Sequence, residues 1–310
     1  MLSIADFWIK IDKTLRYHAL RVVQNVRGVW WDMSPRRACR PVFIIGCSRA
    51  GTTMVYRTYS EAEELASLYR ETHDFWATLH PLEDRNWESH ALMAEEASQH
   101  DRDIVSRYFY SHTGSCRFVD KNNQNGLCVP YLHAMFPSAH FVYVKRSPGD
   151  NINSLIEGWR KPDQFAAWSY DLPETVAIDE SRYTRWCFFL SDGWRKYLQS
   201  SIEEVCAFQY MAMNEAILEA RKTVPTSQWT EICYEDLLQN PVEGFRQAFE
   251  SAGLAFTKKL EDHCSKVLSN PYNAFSEIRL DKWRDGRNRE RIESVLPKIN
   301  DIAQRMGYEL

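Results

Sequence analysis

The sequence predicts a single α/β domain with a central parallel sheet flanked by helices. Three observations carry that reading. Short runs rich in β-branched and aromatic residues recur at 42–45, 117–121, 140–145 and 229–234, with helical patterns between them. The first, Val42-Phe43-Ile44-Ile45, is apolar throughout, as suits a strand buried on both faces. No internal repeat or low-complexity linker divides the alternation.

Composition narrows the function classes. The chain has 310 residues and a formal net charge of -4, so the overall balance gives no hint of nucleic acid as a partner. Its eight cysteines never form CxxC, and its nine histidines form neither HxxxH nor HExxH. A zinc site is not expected, and the cysteines read as scattered small hydrophobes in a reduced chain. With no N-x-[ST] sequon, a cytoplasmic location is the expectation. Residues 1–31 lack the long uncharged run of a membrane span and the cleavage site of a signal peptide. They read as an amphipathic helix packed on the domain, or as a peripheral contact with a membrane or partner. Residues 1–40 are taken as this helix and its linker, and residues 41–310 as the domain.

Taken in order, the pattern predicts a helix from Thr52 to about Leu68 and a charged helical region from Glu83 to Tyr110. A helix follows over Val129–Phe136, stopped by Pro137, and another over Asn151–Trp159. Residues 161–182 read as a loop or lid. Two helices are expected between Tyr183 and Thr223, one after Pro241, and a last one over Arg289–Met306.

The chemistry starts after the first strand. Gly46-Cys47-Ser48-Arg49-Ala50-Gly51-Thr52-Thr53 has the GxxxxG spacing of a phosphate-binding loop between strand and helix, a P-loop-like layout. Thr52 stands where a nucleotide kinase has Lys, and the cation lies upstream as Arg49. Arg146 leaves the third strand and Ser154 follows eight residues later. A forked donor and a hydroxyl so placed can hold a second phosphate.

These two motifs resemble the 5′- and 3′-phosphate sites of sulfotransferases that use 3′-phosphoadenosine 5′-phosphosulfate (PAPS). Arg49-Ala50-Gly51-Thr52-Thr53 is similar to that family's [KR]-[SGA]-G-T-T loop, and Arg146 with Ser154 to its Arg-x7-Ser motif. Lys121, Val129-Pro130-Tyr131-Leu132, Phe136-Pro137, Tyr234-Glu235-Asp236-Leu237, Lys282-Trp283-Arg284 and Gly307-Tyr308 extend the resemblance across about Val42–Tyr308. It is nearest to bacterial small-molecule or carbohydrate sulfotransferases and the tyrosylprotein branch. One departure stands out: Asn123 replaces the family's Pro after Lys121.

The resemblance implies sulfuryl transfer from PAPS to an acceptor hydroxyl on a sugar, lipid, natural product or peptide Tyr, without metal. Glu71, followed by Thr72, corresponds to the tyrosylprotein branch's general base, and His73 is the competitor. Lys121 and Arg49 would stabilise charge on the transferred group and the leaving phosphate. Lys282, Arg284 and Ser276 are candidates to complete the 3′-phosphate site, whereas Glu235 and Asp236 read as structural. Trp159, Trp168, Tyr170 and Trp186 could stack adenine, line the acceptor cleft or serve as packing. Two other readings remain open: a P-loop kinase using ATP-Mg with Asp120 as metal ligand, and a non-catalytic nucleotide or carbohydrate binder.

Overall fold

In a computed structural model of the chain, residues 4–269 and 278–310 are described, with backbone only for residues 4–17. Four strands, β1 (Val42–Ile45), β2 (Val119–Lys121), β3 (His140–Lys145) and β4 (Trp229–Cys233), form one sheet in the order β2-β1-β3-β4. Every pairing is parallel: Val42 lies opposite both Val119 and His140, and Phe141 lies opposite Trp229. All four strands fall within the runs read from the sequence.

The apolar continuity of β1 has a direct cause. Phe43 and Ile45 enter one core, with Phe141, Tyr143 and Trp159, while Val42 and Ile44 enter another, with Val142, Met54 and Phe249. Helices cover both faces, so neither face of β1 meets water and alternation has no purpose.

Several helices differ from expectation. The first after β1, α2 (Thr52–Tyr59), does not continue to near Leu68. The chain then crosses to the β2 edge, where Ala66 N–H donates to Arg117 O (3.0 Å) and Val119 N–H to Ala66 O (3.0 Å). An extended segment, ending in Tyr69 at positive φ, so replaces the last helical turns. Helix α3 (His73–Leu79) follows. The charged stretch is α-helical over α4 (Gln99–Thr113), with the Ser98 hydroxyl capping its start, and before that holds only short 3-10 turns at Glu83–Arg85 and Ala94–Glu96. Helix α5 (Val129–Met135) ends before Pro137 as expected, and α6 (Pro148–Trp159) starts slightly early. Between Tyr183 and Thr223 a single long helix, Ile202–Arg221, forms. The preceding segment buries Trp186, Phe189, Leu190 and Trp194 without a regular helix. The C-terminal helix breaks into Arg289–Val295, a 3-10 turn holding Pro297, and Asn300–Arg305.

Helix α1 (Ile4–Met33) lies against α4. Arg107 pairs with Asp32 through two hydrogen bonds (2.7 and 2.8 Å), and Arg27 donates to His112 O (3.2 Å). Val22, Val26, Val29, Trp30 and Met33 are exposed. Among the described residues no helix is long and apolar enough to cross a membrane.

Candidate active site

The site lies past the C-terminal ends of β1, β2 and β3, where the crevice of a parallel α/β sheet forms. The loop after β1 turns sharply: Arg49 takes a left-handed φ of 68° and Gly51 one of 98°. A Cβ on Gly51 would meet the Tyr234 ring at 2.4 Å, so this position needs glycine twice over. Loop carbonyls are drawn aside. Asn151 Nδ2 donates to Ser48 O (2.9 Å), and Arg146 Nη1 donates to Arg49 O (2.9 Å). Helix α2 (Thr52–Tyr59) begins at Thr52, which directs its first-turn N–H groups to the loop.

The structure brings Arg49, Arg146 and Ser154 together. Arg49 Nε donates to Ser154 Oγ (3.4 Å), and the Arg49 guanidinium lies over the Phe165 ring. Arg146 stacks over Tyr234, 4.6 Å from the ring centroid. The two motifs expected to bind phosphate therefore meet in one basic cluster. Burial first, and then the neighbouring Arg146 charge, lower the Arg49 pKa to about 10 against the opposing pull of Glu71 and Tyr234. Lys282 is likewise lowered, by burial and then by Arg146. Like charges held this close call for an anion between them. Ser48 Oγ and Arg146 Nε are buried with no partner among the described residues, which leaves hydrogen-bonding capacity at the loop.

Lys282 reaches this cluster because Asp150, at the start of α6, accepts N–H bonds from Asp281 (2.8 Å) and Trp283 (3.4 Å). Arg284 instead pairs with Asp281 at the surface (3.2 Å), and Ser276 lies outside the described residues. Glu235 braces the turn after β4, accepting from Ser147 N–H (2.9 Å) and the Tyr308 hydroxyl (2.8 Å). That docking of the C-terminus on β4 was not visible in the sequence.

A second cluster adjoins the loop. Glu71 Oε1 accepts from Lys121 Nζ (2.6 Å) and from Thr53 Oγ1 (3.3 Å), while Glu71 Oε2 lies 2.5 Å from His73 Nε2. Asn122 Oδ1 holds His73 Nδ1 (2.6 Å), and Asn123 Oδ1 accepts from Lys121 (2.9 Å). Asn123, where the resembled family has Pro, thus supplies a ligand to the lysine. Burial would raise the Glu71 pKa, but the Lys121 charge and the His73 bond outweigh it and hold the carboxyl well below the usual range. Asp120 lies behind this cluster. Its Oδ1 accepts from Thr72 Oγ1 (2.6 Å), and its Oδ2 from Trp76 Nε1 (2.9 Å) and Asn125 Nδ2 (3.2 Å). A carboxylate so occupied is a scaffold for Thr72 and β2, which counts against a kinase-like metal ligand.

Glu71 and His73 line a cavity of about 610 Å3, whose wall also includes Trp76, Leu82, Trp87, Leu132 and Phe188. Gln164, Phe165, Ala167 and Trp168 line it from the 161–182 segment. Trp159 and Trp186 do not reach it. They are core residues whose indole N–H groups bond Gln209 (3.1 Å) and Phe189 O (2.7 Å). Tyr170 is exposed beneath Arg185.

A profile of the sulfotransferase family matches residues 41–187. Among solved structures, a sulfotransferase from Mycobacterium avium superposes with a TM-score of 0.53 at 15% identity, covering 88% of this chain and 80% of that one. One from Alicyclobacillus acidocaldarius gives 0.51 at 15% identity, with 88% and 98% covered. The sulfotransferase domain of the Synechococcus PCC 7002 olefin synthase gives 0.50 at 15%, with 89% and 98% covered. No curated protein matches the chain. At this identity the superpositions speak for the fold. The profile match adds that residues 41–187 are similar to the sulfotransferase family.

Proposed function

We propose that the chain transfers the sulfuryl group of PAPS to an acceptor hydroxyl by in-line displacement. The carrying observation is the 3.3 Å bond from Thr53 to Glu71, which joins the phosphate-loop helix to a carboxylate facing the cavity. In this reading Gly51, Thr52 and Thr53 hold the 5′ phosphate by N–H and hydroxyl, with Ala50 in the turn. Arg146, Ser154 and Lys282 hold the 3′ phosphate. Arg49 lies in the cluster between them and supplies positive charge to the leaving phosphate.

The acceptor O–H gives its proton to Glu71 as the new O–S bond forms. The bond from sulfur to the 5′-phosphate oxygen breaks, and its electron pair leaves on adenosine 3′,5′-bisphosphate. A base with a strongly lowered pKa is a weak one. The Lys121 contact resolves this: sulfonate oxygens that attract Lys121 draw it from Glu71 and remove the main charge holding the carboxyl down. His73, on the other carboxylate oxygen, orients Glu71 and is the alternative base. With cations supplying the compensating charge, no metal is required.

Incubation with PAPS and a mixed panel of phenols, alcohols, sugars and a Tyr peptide, read by mass spectrometry, tests the reading. The wild type should form a sulfate ester. Glu71→Gln should lose about 10²–10⁴-fold in turnover while still binding adenosine 3′,5′-bisphosphate. Undiminished turnover in Glu71→Gln would reassign the base.

The exposed Val22, Val26, Val29, Trp30 and Met33 form a stripe on the α1 face opposite α4. Residues 1–31 carry five Lys or Arg (10, 13, 16, 21, 27) against Asp6 and Asp12. We read this stripe as a peripheral contact with an anionic membrane of a cytoplasmic enzyme. Flotation should show binding to phosphatidylserine vesicles and much less to phosphatidylcholine vesicles, with Val26→Asp abolishing it. Concentration-dependent dimerisation without vesicle binding would assign the stripe to a second copy.

A further inference from the structure

The cavity in front of Glu71 carries information about the acceptor beyond its hydroxyl, an inference that rests on the sulfotransferase reading above. Its volume of about 610 Å3 falls in the range of small-molecule sites, ~300–1,000 Å3. Apolar side chains, among them Trp76, Leu82, Trp87, Leu132, Phe165 and Phe188, form much of its wall. Two polar groups of that wall are engaged with the protein. Arg85 donates to Ser89 O (2.9 Å) and Ala91 O (2.7 Å) and pairs with Glu96 (3.2 Å). His80 meets Tyr131 Oη (3.1 Å) and Asp101 (3.3 Å). A sugar would leave several hydroxyls against apolar carbon, each at a desolvation cost. An anionic acceptor would face Glu71, Asp74 and Glu83, which also line the cavity.

His90 differs from these two. Leu190 N–H donates to its Nδ1 (2.8 Å), and His90 N–H donates back to Leu190 O (3.1 Å), which fixes the ring to the 190 segment. Trp168 packs edge-on against it, with centroids 5.0 Å apart. With Nδ1 accepting, the neutral ring carries its proton on Nε2. Burial lowers its pKa to about 3, so the ring stays neutral under working conditions. Among the described residues nothing pairs with Nε2, and the residue lines the cavity.

We propose that the acceptor is an uncharged aromatic or alicyclic alcohol that carries a second oxygen, which accepts a hydrogen bond from His90 Nε2–H. His90 is then a specificity-determining residue: it chooses between hydroxyl compounds and takes no part in proton transfer to Glu71.

The test pairs 4-hydroxybenzophenone with 4-benzylphenol, which differ by one carbonyl oxygen. N-acetylglucosamine and a Tyr peptide serve as polar comparators. Sulfation from PAPS is measured alongside calorimetric binding with adenosine 3′,5′-bisphosphate present. The wild type should favour the ketone roughly tenfold in kcat/KM and in affinity. His90→Leu should erase that preference, and His90→Gln, whose amide can accept from Leu190 and still donate, should restore part of it. Equal handling of the two phenols by the wild type overturns the role of His90 without any variant. Sulfation confined to the sugar or peptide overturns the acceptor class and leaves the sulfotransferase reading standing. His90-dependent binding of the ketone without sulfation of any acceptor supports the pocket and contradicts the transferase reading.

Discussion

At the scale of single residues, the protein meets a buried carboxylate with partners and holds buried histidines neutral. Glu71 is bound on both oxygens, by Lys121 with Thr53 and by His73. His140 and His90 illustrate the other regime. Burial lowers the His140 pKa to about 4, aided by Arg40 and Arg117, and the His90 pKa to about 3. Both folded values lie below the ordinary 6.5, so the unfolded chain binds protons more readily than the native one. Their contribution is complete above pH 6.5 and is lost as pH falls toward the folded values. Between pH 6.5 and 5, ahead of the carboxylates, unfolding free energy should fall by about 1.4 kcal/mol per pH unit for each neutralised histidine. Urea unfolding at stepped pH checks this. A midpoint that stays level across the interval would show that these rings take up protons in the folded state.

At the scale of elements, legibility followed the period of the pattern. The four strands were readable because a doubly covered parallel sheet writes itself as short apolar runs. The turn after β1 was readable because glycine spacing encodes backbone conformation directly. Arg49, Arg146 and Ser154 were readable as separate motifs, but their meeting in one cluster depends on how α6 folds back on the loop, which spacing alone leaves open. The segments around 60–70 and 183–201 misled because their apolar residues serve long-range contacts. Ala66 joins the β2 edge and Trp194 bonds Trp87 O (2.8 Å), with no helical period to show either. His90 carried no motif at all, since its role follows from a bond to Leu190, a hundred residues away. Gly149 in α6 shows how tightly two elements are keyed. Glycine to alanine in a helix usually stabilises by about 0.5–1 kcal/mol. Here a Cβ would sit 2.3 Å from the buried Trp283 ring. Gly149→Ala should therefore destabilise by about 1–3 kcal/mol, seen as a lower urea midpoint. A raised midpoint would mean that Trp283 yields freely.

At the scale of the whole molecule, four short parallel strands bring groups from distant parts of the chain to one edge. β1 delivers the loop, β2 delivers Lys121, and β3 delivers Arg146 with the helix that carries Ser154. The C-terminal stretch adds Lys282 through its bonds to Asp150. The result is a basic cluster next to a carboxylate, with an apolar cavity beyond it. In the proposed reading this arrangement separates nucleotide from acceptor, with the transferred group between them. The central claim is that the cluster takes a nucleotide phosphorylated at both the 5′ and 3′ positions. Calorimetric titration with adenosine 3′,5′-bisphosphate and with adenosine 5′-monophosphate, in buffer containing a metal chelator, tests it most directly. The account predicts a preference of at least about tenfold for the bisphosphate, largely lost in Arg146→Ala. Equal binding of the two nucleotides by the wild type, or tight binding that requires ATP with Mg²⁺, would contradict it.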